Sequence, residues 1–165
     1  MIAAMNPCPC GFYTDKRNEC RCSAQQIQRY MAKISGPLLD RIDIHLDVPA
    51  LAPNDITARA PQESSARIKQ RTVQARRVQQ ERFRGTSTAN NARMSNKQTQ
   101  KFCCVNAQGE AILRMAIEEL GLSARAYFKI LKIARTIADL ENANEISSLH
   151  LTEAIQYRSL DRSRW

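Results

Sequence analysis

The second half of the chain carries apolar residues at helical spacing. From Gly109 onward they follow i, i+3, i+4, i+7, and Gly121 stands where a left-handed residue is expected to end the helix. Ser123 is placed to cap a second helix, and Ser147 or Ser148 to cap a third. The three stripes are Leu113, Ala116, Ile117 and Leu120; Tyr127, Ile130, Leu131, Ala134, Ile137 and Ala138; and Leu151, Ala154 and Ile155. This pattern predicts a small helical bundle.

The first 53 residues show a different pattern. Residues 1–5 are wholly apolar, which is typical of the end of a buried strand. Residues 41–48 alternate apolar and polar side chains, which predicts a second strand with one acidic face. His45 lies on that polar face, where we expect it to be solvated. Between the two segments, Ser23 and Gln26 form a capping box at the start of a helix that Gly36 ends.

Residues 63–84 predict a strongly basic helix. Its apolar residues fall at steps of five, which makes a weak stripe. Such a helix is expected to project or to lie between domains, and its charge fits either a solvated face or an anion-binding one. Residues 85–100, rich in Thr, Ser, Asn and Gln, predict a linker or a mobile loop. The cations of the helix are Arg67, Lys69, Arg71, Arg76, Arg77, Arg82 and Arg84.

Composition limits the classes of protein. The chain has 165 residues and 43% hydrophobic residues, enough for a core. No apolar run approaches the length of about 18 residues that spans a bilayer, so a cytoplasmic protein without a membrane partner is expected. The net charge of +9 indicates an anionic partner. Aromatic residues make up only 5%, which argues against a protein that works mainly by stacking on bases.

Four cysteines lie within fifteen residues as two Cys-x-Cys pairs: Cys8, Cys10, Cys20 and Cys22. Because no export signal accompanies them, this spacing favours metal ligands over two disulfides or four unlinked thiols. Zinc takes four tetrahedral ligands, and four thiolates leave no open position for water. The pattern therefore predicts a structural zinc site. Cys103 and Cys104 have no second pair nearby, and no role is assigned to them.

The chain lacks the usual catalytic signatures. None of its glycines belongs to a phosphate-binding loop of the Walker A type. No predicted strand ends in paired acids that would hold Mg²⁺, and neither Gly-x-Ser-x-Gly nor His-Glu-x-x-His occurs. A self-contained active site is therefore not expected.

Several motifs resemble one family, the magnesium-chelatase-like AAA+ ATPases of the ComM/YifB type. They are MNPCPCG at 5–11, CRC at 20–22, ISGPLLDRIDI at 34–44, LSARAY at 122–127, IARTIADL at 133–140 and EAIQYR at 153–158. The similarity covers nearly the whole chain and is weakest between residues 51 and 100. It corresponds to the C-terminal third of the family, which places the Walker A and Walker B motifs upstream of Met1. Met1 would then be an internal methionine, an engineered boundary or the start of a truncated gene.

The resemblance implies a mainly α fold: the last strands of an AAA+ α/β core with a zinc-binding loop, followed by a helical lid. The implied domains are residues 1–53 for the remnant of the core, 54–105 for the basic helix and polar linker, and 106–165 for the lid. Residues 1–6 would form the strand that carries the sensor-1 residue.

Three site residues are implied by the resemblance. Asn6 matches sensor 1, which positions the attacking water near the γ-phosphate. Arg41 matches the arginine finger, which acts on the nucleotide of a neighbouring subunit. Arg125 matches sensor 2, which contacts the nucleotide of its own subunit. Without the resemblance, Asn6 is a strand end, Arg41 a partner of a nearby aspartate, and Arg125 a surface arginine.

The function implied is a fragment, inactive alone, of a ring-forming and probably hexameric ATPase that needs ATP and Mg²⁺. The parent would act on DNA as a helicase in branch migration during natural transformation, with Arg67, Lys69, Arg71, Arg76 and Arg77 as DNA contacts. Two alternatives stay open. One is a chelatase motor that drives metal insertion into a porphyrin, although such subunits are not expected to carry the cysteine pairs. The other is a free-standing zinc-containing module that binds nucleic acid.

Overall fold

The computed structural model describes residues 2–15, 17–49 and 63–158. Within these ranges the chain is mainly helical, as predicted, and forms two compact units. The first unit comprises residues 2–15, 17–42 and 46–49, and the second comprises 43–45 and 63–158. The α-helices are α1 (Ala24–Met31), α2 (Gly36–Arg41), α3 (Ser65–Arg82), α4 (Asn96–Phe102), α5 (Ala107–Leu120), α6 (Ala124–Leu140) and α7 (Ser148–Gln156). The predicted domain limits at residues 53 and 105 stay predictions.

The first unit has two short helices and little apolar core. Ser23 caps α1 with both bonds of the predicted capping box, since its hydroxyl accepts from the Gln26 N–H and its own N–H donates to the Gln26 side chain. Helix α2 carries Pro37 in its first turn, where a missing N–H costs nothing. Among the described residues of this unit, only Cys8 and Leu39 are buried hydrophobic residues.

The two predicted strands are absent from the described residues. Residues 2–6 and 42–49 contain no strand, and Met1 lies outside the described residues. A strand is held by a ladder of hydrogen bonds to a neighbouring strand. Within the described part of the chain, the backbone of residues 42–49 makes one such long-range bond, from the His45 N–H to the Tyr157 carbonyl. Alternation of side chains alone therefore produced no sheet.

The expectation for His45 was also wrong. Its side chain is buried, with only 5% of the residue exposed. The cause is the backbone bond to Tyr157, which draws this residue onto the end of α7. A period-two pattern predicts which residues share a face, but not which face is covered.

The second unit is a bundle organised around α6. This helix contacts α3, α4 and α7, and α7 also packs on α5. Small residues allow the close approach, because Ala134 and Ala138 are fully buried on α6 and Ala154 on α7. The predicted apolar stripes of α5, α6 and α7 supply most of the core, which also includes Phe83, Met94, Cys103 and Ile146. Among the described helices, none has the length and apolarity needed to cross a membrane.

Helix α3 does not project, contrary to expectation. It packs on α6 through one face, where Ala75 and Gln79 are buried, and Phe83 follows in the core. At its C-terminal end, Arg82 pairs with the buried Asp139 of α6. The weak apolar stripe concealed this contact because part of the buried face is polar.

The segment predicted as a linker is ordered into helices. Asn90 caps a short 3-10 helix at Asn91–Arg93, and Ser95 caps α4 through a capping box with Gln98. Asn91 is buried and bonds to Asp139 and Thr136. The same polar residue types that favour loops also serve as caps and buried hydrogen-bond partners, which explains the error.

Candidate metal centre and nucleotide-contact residues

The two Cys-x-Cys pairs come together as predicted. The four sulfur atoms lie within 4.8 Å of one another, and Cys8 is fully buried. The Sγ of Cys8 lies 3.3 Å from that of Cys10 and 3.7 Å from that of Cys20, and Cys10 and Cys20 are 3.6 Å apart. All four cysteines are free thiols.

The geometry fits a tetrahedral metal ion. With a zinc–sulfur bond of about 2.3 Å, the edge of a sulfur tetrahedron is about 3.8 Å. The three measured separations lie at or slightly below that edge. They are far longer than the disulfide bond length of about 2.05 Å. The cluster can therefore hold one metal ion through its four thiolates.

The turn between the two pairs is held by its own hydrogen bonds. The Gly11 N–H donates to the Cys8 carbonyl at 3.1 Å, and Gly11 has a φ of +85°, a conformation that suits glycine. Asp15 accepts from the Arg17 N–H at 2.7 Å and from the Asn18 side chain at 2.9 Å. The Asn18 bond, followed by that from Arg17, lowers the pKa of Asp15. The loop is thus shaped by polar residues rather than by a core.

The thiols differ in their acidity. The pKa of Cys10 is lowered to about 6, chiefly by the backbone N–H of Phe12 and then by the Cys8 thiol. Burial raises the pKa of Cys22 to about 12. For Cys20 the Cys22 N–H favours the thiolate, but burial and the neighbouring thiols outweigh it and raise the pKa. Only a bound cation stabilises several thiolates packed this closely.

The three residues matched to nucleotide contacts lie in both units. Asn6 and Arg41 belong to the first unit and Arg125 to the second, and all three are exposed. The Asn6 side chain lies beside Gly11 of the cysteine loop. The Arg41 guanidinium donates to the Pro37 carbonyl at 2.9 Å, which folds it back along its own helix.

Arg125 lies in the first turn of α6, after the Ser123 cap. The Ser123 hydroxyl accepts from the Ala126 N–H at 3.2 Å, so the start of this helix is fixed by the residue that the sequence indicated. The roles of Asn6, Arg41 and Arg125 at a nucleotide stay predictions.

The basic residues of α3 divide by their partners. All five that were matched to DNA are exposed: Arg67, Lys69, Arg71, Arg76 and Arg77. Glu63 lies 4.0 Å from Arg67 and 2.9 Å from Arg71, and Arg76 donates to the Ala89 carbonyl at 2.8 Å. Lys69 and Arg77 line a shallow concavity of about 360 Å³ together with Gln70, Val73 and Gln74. Its polar, cationic lining could accept an anion.

Sequence reasoning missed two charged contacts that fix the second unit. Asp139 binds both Arg82 and Arg135, and Asp43 binds Lys129 at 2.8 Å. Lys129 was not singled out because charged residues inside a helical stripe are usually solvated. The motifs at 34–44 and 133–140 contained two of these residues, but spacing along the chain does not reveal partners this far apart.

Comparison with known proteins places the chain in one family. Residues 62–158 match the family described as magnesium chelatase, subunit ChlI C-terminal, and residues 1–56 match magnesium chelatase, subunit ChlI. Protein YifB of Salmonella typhimurium is 42% identical over 163 residues, which is 98% of this chain and 31% of the relative. Competence protein ComM of Haemophilus influenzae is 40% identical over 163 residues, again 98% and 31%.

A more distant relative, Rv2897c of Mycobacterium tuberculosis, is 29% identical over 164 residues, which is 99% of this chain and 32% of that protein. The chain thus spans about a third of the length of the curated relatives it matches. Since the C-terminal family covers more than half of the chain, the chain belongs to the magnesium chelatase ChlI family, as a fragment of the ComM/YifB type.

Proposed function

We propose that this chain is the C-terminal part of a ring-forming AAA+ ATPase that acts on DNA, with a structural zinc ion in its cysteine cluster. The observation that carries the proposal is the cysteine cluster beginning two residues after Asn6, in a chain related to ComM and YifB. The relative named as a competence protein supports a role in natural transformation, with branch migration of DNA as the activity.

The cysteine loop would act as a cross-link. Four sulfur ligands leave no site for water or substrate, so the ion supplies shape rather than chemistry. The first unit gains most from such a link, because few of its described residues are buried. The immediate beneficiary is Asn6, whose side chain lies beside Gly11 of the loop.

The arginines would act on nucleotide phosphates. Arg41 would stabilise the charge that develops on the transferring phosphoryl group in a neighbouring subunit, and Arg125 would contact the nucleotide of its own subunit. Asn6 would orient the attacking water, because an amide can both donate and accept a hydrogen bond. None of the three supplies a phosphate-binding loop, so hydrolysis would depend on the remaining two thirds of the length found in the relatives.

The test uses a chimera in which this chain replaces the matching third of Salmonella typhimurium YifB, called here the YifB chimera. We expect the chimera to hydrolyse ATP and the isolated chain to do so no faster than buffer. Arg41→Ala should abolish hydrolysis by the chimera while ATP binding, followed by equilibrium dialysis, persists. A chimera that assembles and binds ATP but does not hydrolyse it would contradict the proposal.

A chelatase motor is the second candidate, favoured by the family description. The two candidates differ in their stimulus. A DNA-acting ATPase is accelerated by added DNA, whereas a chelatase motor responds to its porphyrin-binding partner. The steady-state ATPase rate of the YifB chimera with and without single-stranded DNA separates them.

A further inference from the structure

Residues 43–45 form a short clasp between the chain and the helical bundle. They belong to the second unit, although residues 42 and 46 on either side belong to the first. The Oδ1 atom of Asp43 lies 2.8 Å from the Nζ atom of Lys129 on α6. The His45 N–H donates to the Tyr157 carbonyl at the end of α7, also at 2.8 Å. The clasp thus contacts two helices of the bundle.

Both contacts are partly removed from water. The Lys129 side chain is only 16% exposed, whereas that of Asp43 is 58% exposed. A carboxylate beside a largely buried ammonium offsets part of the desolvation cost of that charge. His45 is buried as well. The clasp therefore differs from a surface ion pair between two mobile side chains, which usually contributes little.

The clasp lies next to both arginines of the proposed function. Asp43 follows Arg41 by two residues. Lys129 follows Arg125 by four residues on α6, so the two lie one helical turn apart on the same face. The Asp43–Lys129 pair therefore joins the segment that carries one arginine to the helix that carries the other, with Ile42 as the single residue between Arg41 and the clasp.

We propose that Asp43 is a positioning residue that couples these two arginines. When α6 shifts as Arg125 engages a nucleotide, the clasp transmits that shift to the segment that ends in Arg41. Arg41 would then reach the neighbouring subunit only when its own subunit is loaded. The inference rests on the proposed function, because it requires that both arginines contact nucleotide. Small displacements of such a group are costly to the rate of reaction.

The first experiment tests the clasp in this chain alone. Amide hydrogen exchange at His45, measured by NMR, reports the bond to Tyr157. We expect Asp43→Asn and Lys129→Gln each to accelerate this exchange about tenfold. The double variant Asp43→Lys/Lys129→Glu should return it toward the original rate. Asp47→Asn, an exposed acid of the same segment, is the matched control and should leave it unchanged. Unchanged exchange in both single variants would overturn the clasp.

The second experiment tests the coupling in the YifB chimera. We expect Asp43→Asn to lower kcat about tenfold with little change in KM, because the residue acts through Arg41 and not by binding ATP. The charge-exchanged double variant should recover most of that loss, which a merely destabilised protein would not do. The Asp47→Asn chimera should retain its rate.

The outcomes separate the coupling from the proposed function. If Arg41→Ala and Arg125→Ala abolish hydrolysis while Asp43→Asn leaves kcat unchanged, the coupling is wrong and the proposed function stands. If neither arginine variant affects hydrolysis, the proposed function is wrong and the coupling falls with it, whatever the exchange of His45 shows.

Discussion

Arg82 and Asp139, 57 residues apart in the sequence, are joined by two parallel hydrogen bonds of 2.7 Å and 2.5 Å. The Asp139 side chain is fully buried, and it also accepts from Asn91 at 2.8 Å and from Arg135 at 3.0 Å. Arg135 in turn donates to the carbonyls of residues 143 and 144, just beyond the end of α6. One carboxylate thus holds α3, the 3-10 helix and the end of α6 together.

Asp139→Asn is expected to destabilise the second unit strongly. The change leaves two largely buried guanidinium groups without their anion, and breaking such a pair costs about 3–5 kcal/mol. Urea unfolding followed by circular dichroism measures the loss. Glu81→Gln is the matched control, because Glu81 pairs with Arg84 on the surface and should contribute at most about 1 kcal/mol. Equal effects of the two variants would contradict the assigned role of Asp139.

Gly109→Ala is expected to destabilise the contact between α5 and α7. An added Cβ would lie 2.8 Å from the Cδ1 atom of Leu151 and 3.1 Å from the Cβ of Val105, and Leu151 is fully buried. Overpacking costs about 1–3 kcal/mol, which exceeds the gain of about 1 kcal/mol in helix propensity. Thermal unfolding measures the difference. Gly36→Ala, where the added atom meets nothing within 4 Å, should be neutral, and a similar drop in Tm there would point to a general effect of losing glycine.

Metal analysis of the purified chain should find close to one zinc ion per molecule. Cys20→Ser should reduce the content, because it removes one of the four ligands, whereas Cys104→Ser should not, because Cys104 is exposed and outside the cluster. Mass spectrometry under native conditions gives both numbers. A chain without metal, in which Cys8 and Cys20 have become oxidised, would rule out the structural zinc site.

Zinc affinity is expected to fall as the pH falls. Cys22 has its pKa raised to about 12, so it is a thiol at neutral pH and must release its proton to bind. Lowering the pH makes that release less favourable, and raising it makes it more favourable. Competition against a chromophoric chelator at pH 6 and pH 8 measures the change. An affinity that is the same at both values would mean that the ion does not bind through thiolates.

DNA binding by this chain should be electrostatic and use α3. Lys69→Glu/Arg77→Glu should weaken binding of a fluorescent single strand and reduce the slope of log K against log salt by about 2, because each lost phosphate contact removes nearly one unit. Lys97→Glu/Lys101→Glu, the same charge change on α4, is the control. Binding that does not respond to salt, or that both pairs weaken equally, would argue against α3 as the interface.

The helices and the cysteine cluster could be predicted because their signals are local. Ser23, Ser123 and Ser147 cap the helices they were expected to cap, each through a bond to a residue three positions on. The cysteine spacing likewise places the four sulfurs together. These features depend on backbone geometry within about a dozen residues, which a pattern of residue types records well.

The remaining features depend on partners far along the chain. Asn91 is typical of a loop by type, yet its burial is set by Asp139 on another helix. Residues 41–48 alternate like a strand, but strand formation needs a neighbouring strand, and in the described residues His45 makes the one long-range backbone bond. The pairing of Asp43 with Lys129 is equally invisible to spacing.

The clasp also bears on where the helical bundle can be cut out as a separate piece. A fragment starting at residue 62, where the C-terminal family match begins, would contain every helix of the bundle but not residues 43–45. Its Lys129 would lose the Asp43 carboxylate, and the Tyr157 carbonyl would lose its donor. Such a truncated bundle should be soluble yet loosened at the ends of α6 and α7 that face the missing segment. A peptide spanning residues 41–48, added in trans, would then be the means of tightening it again.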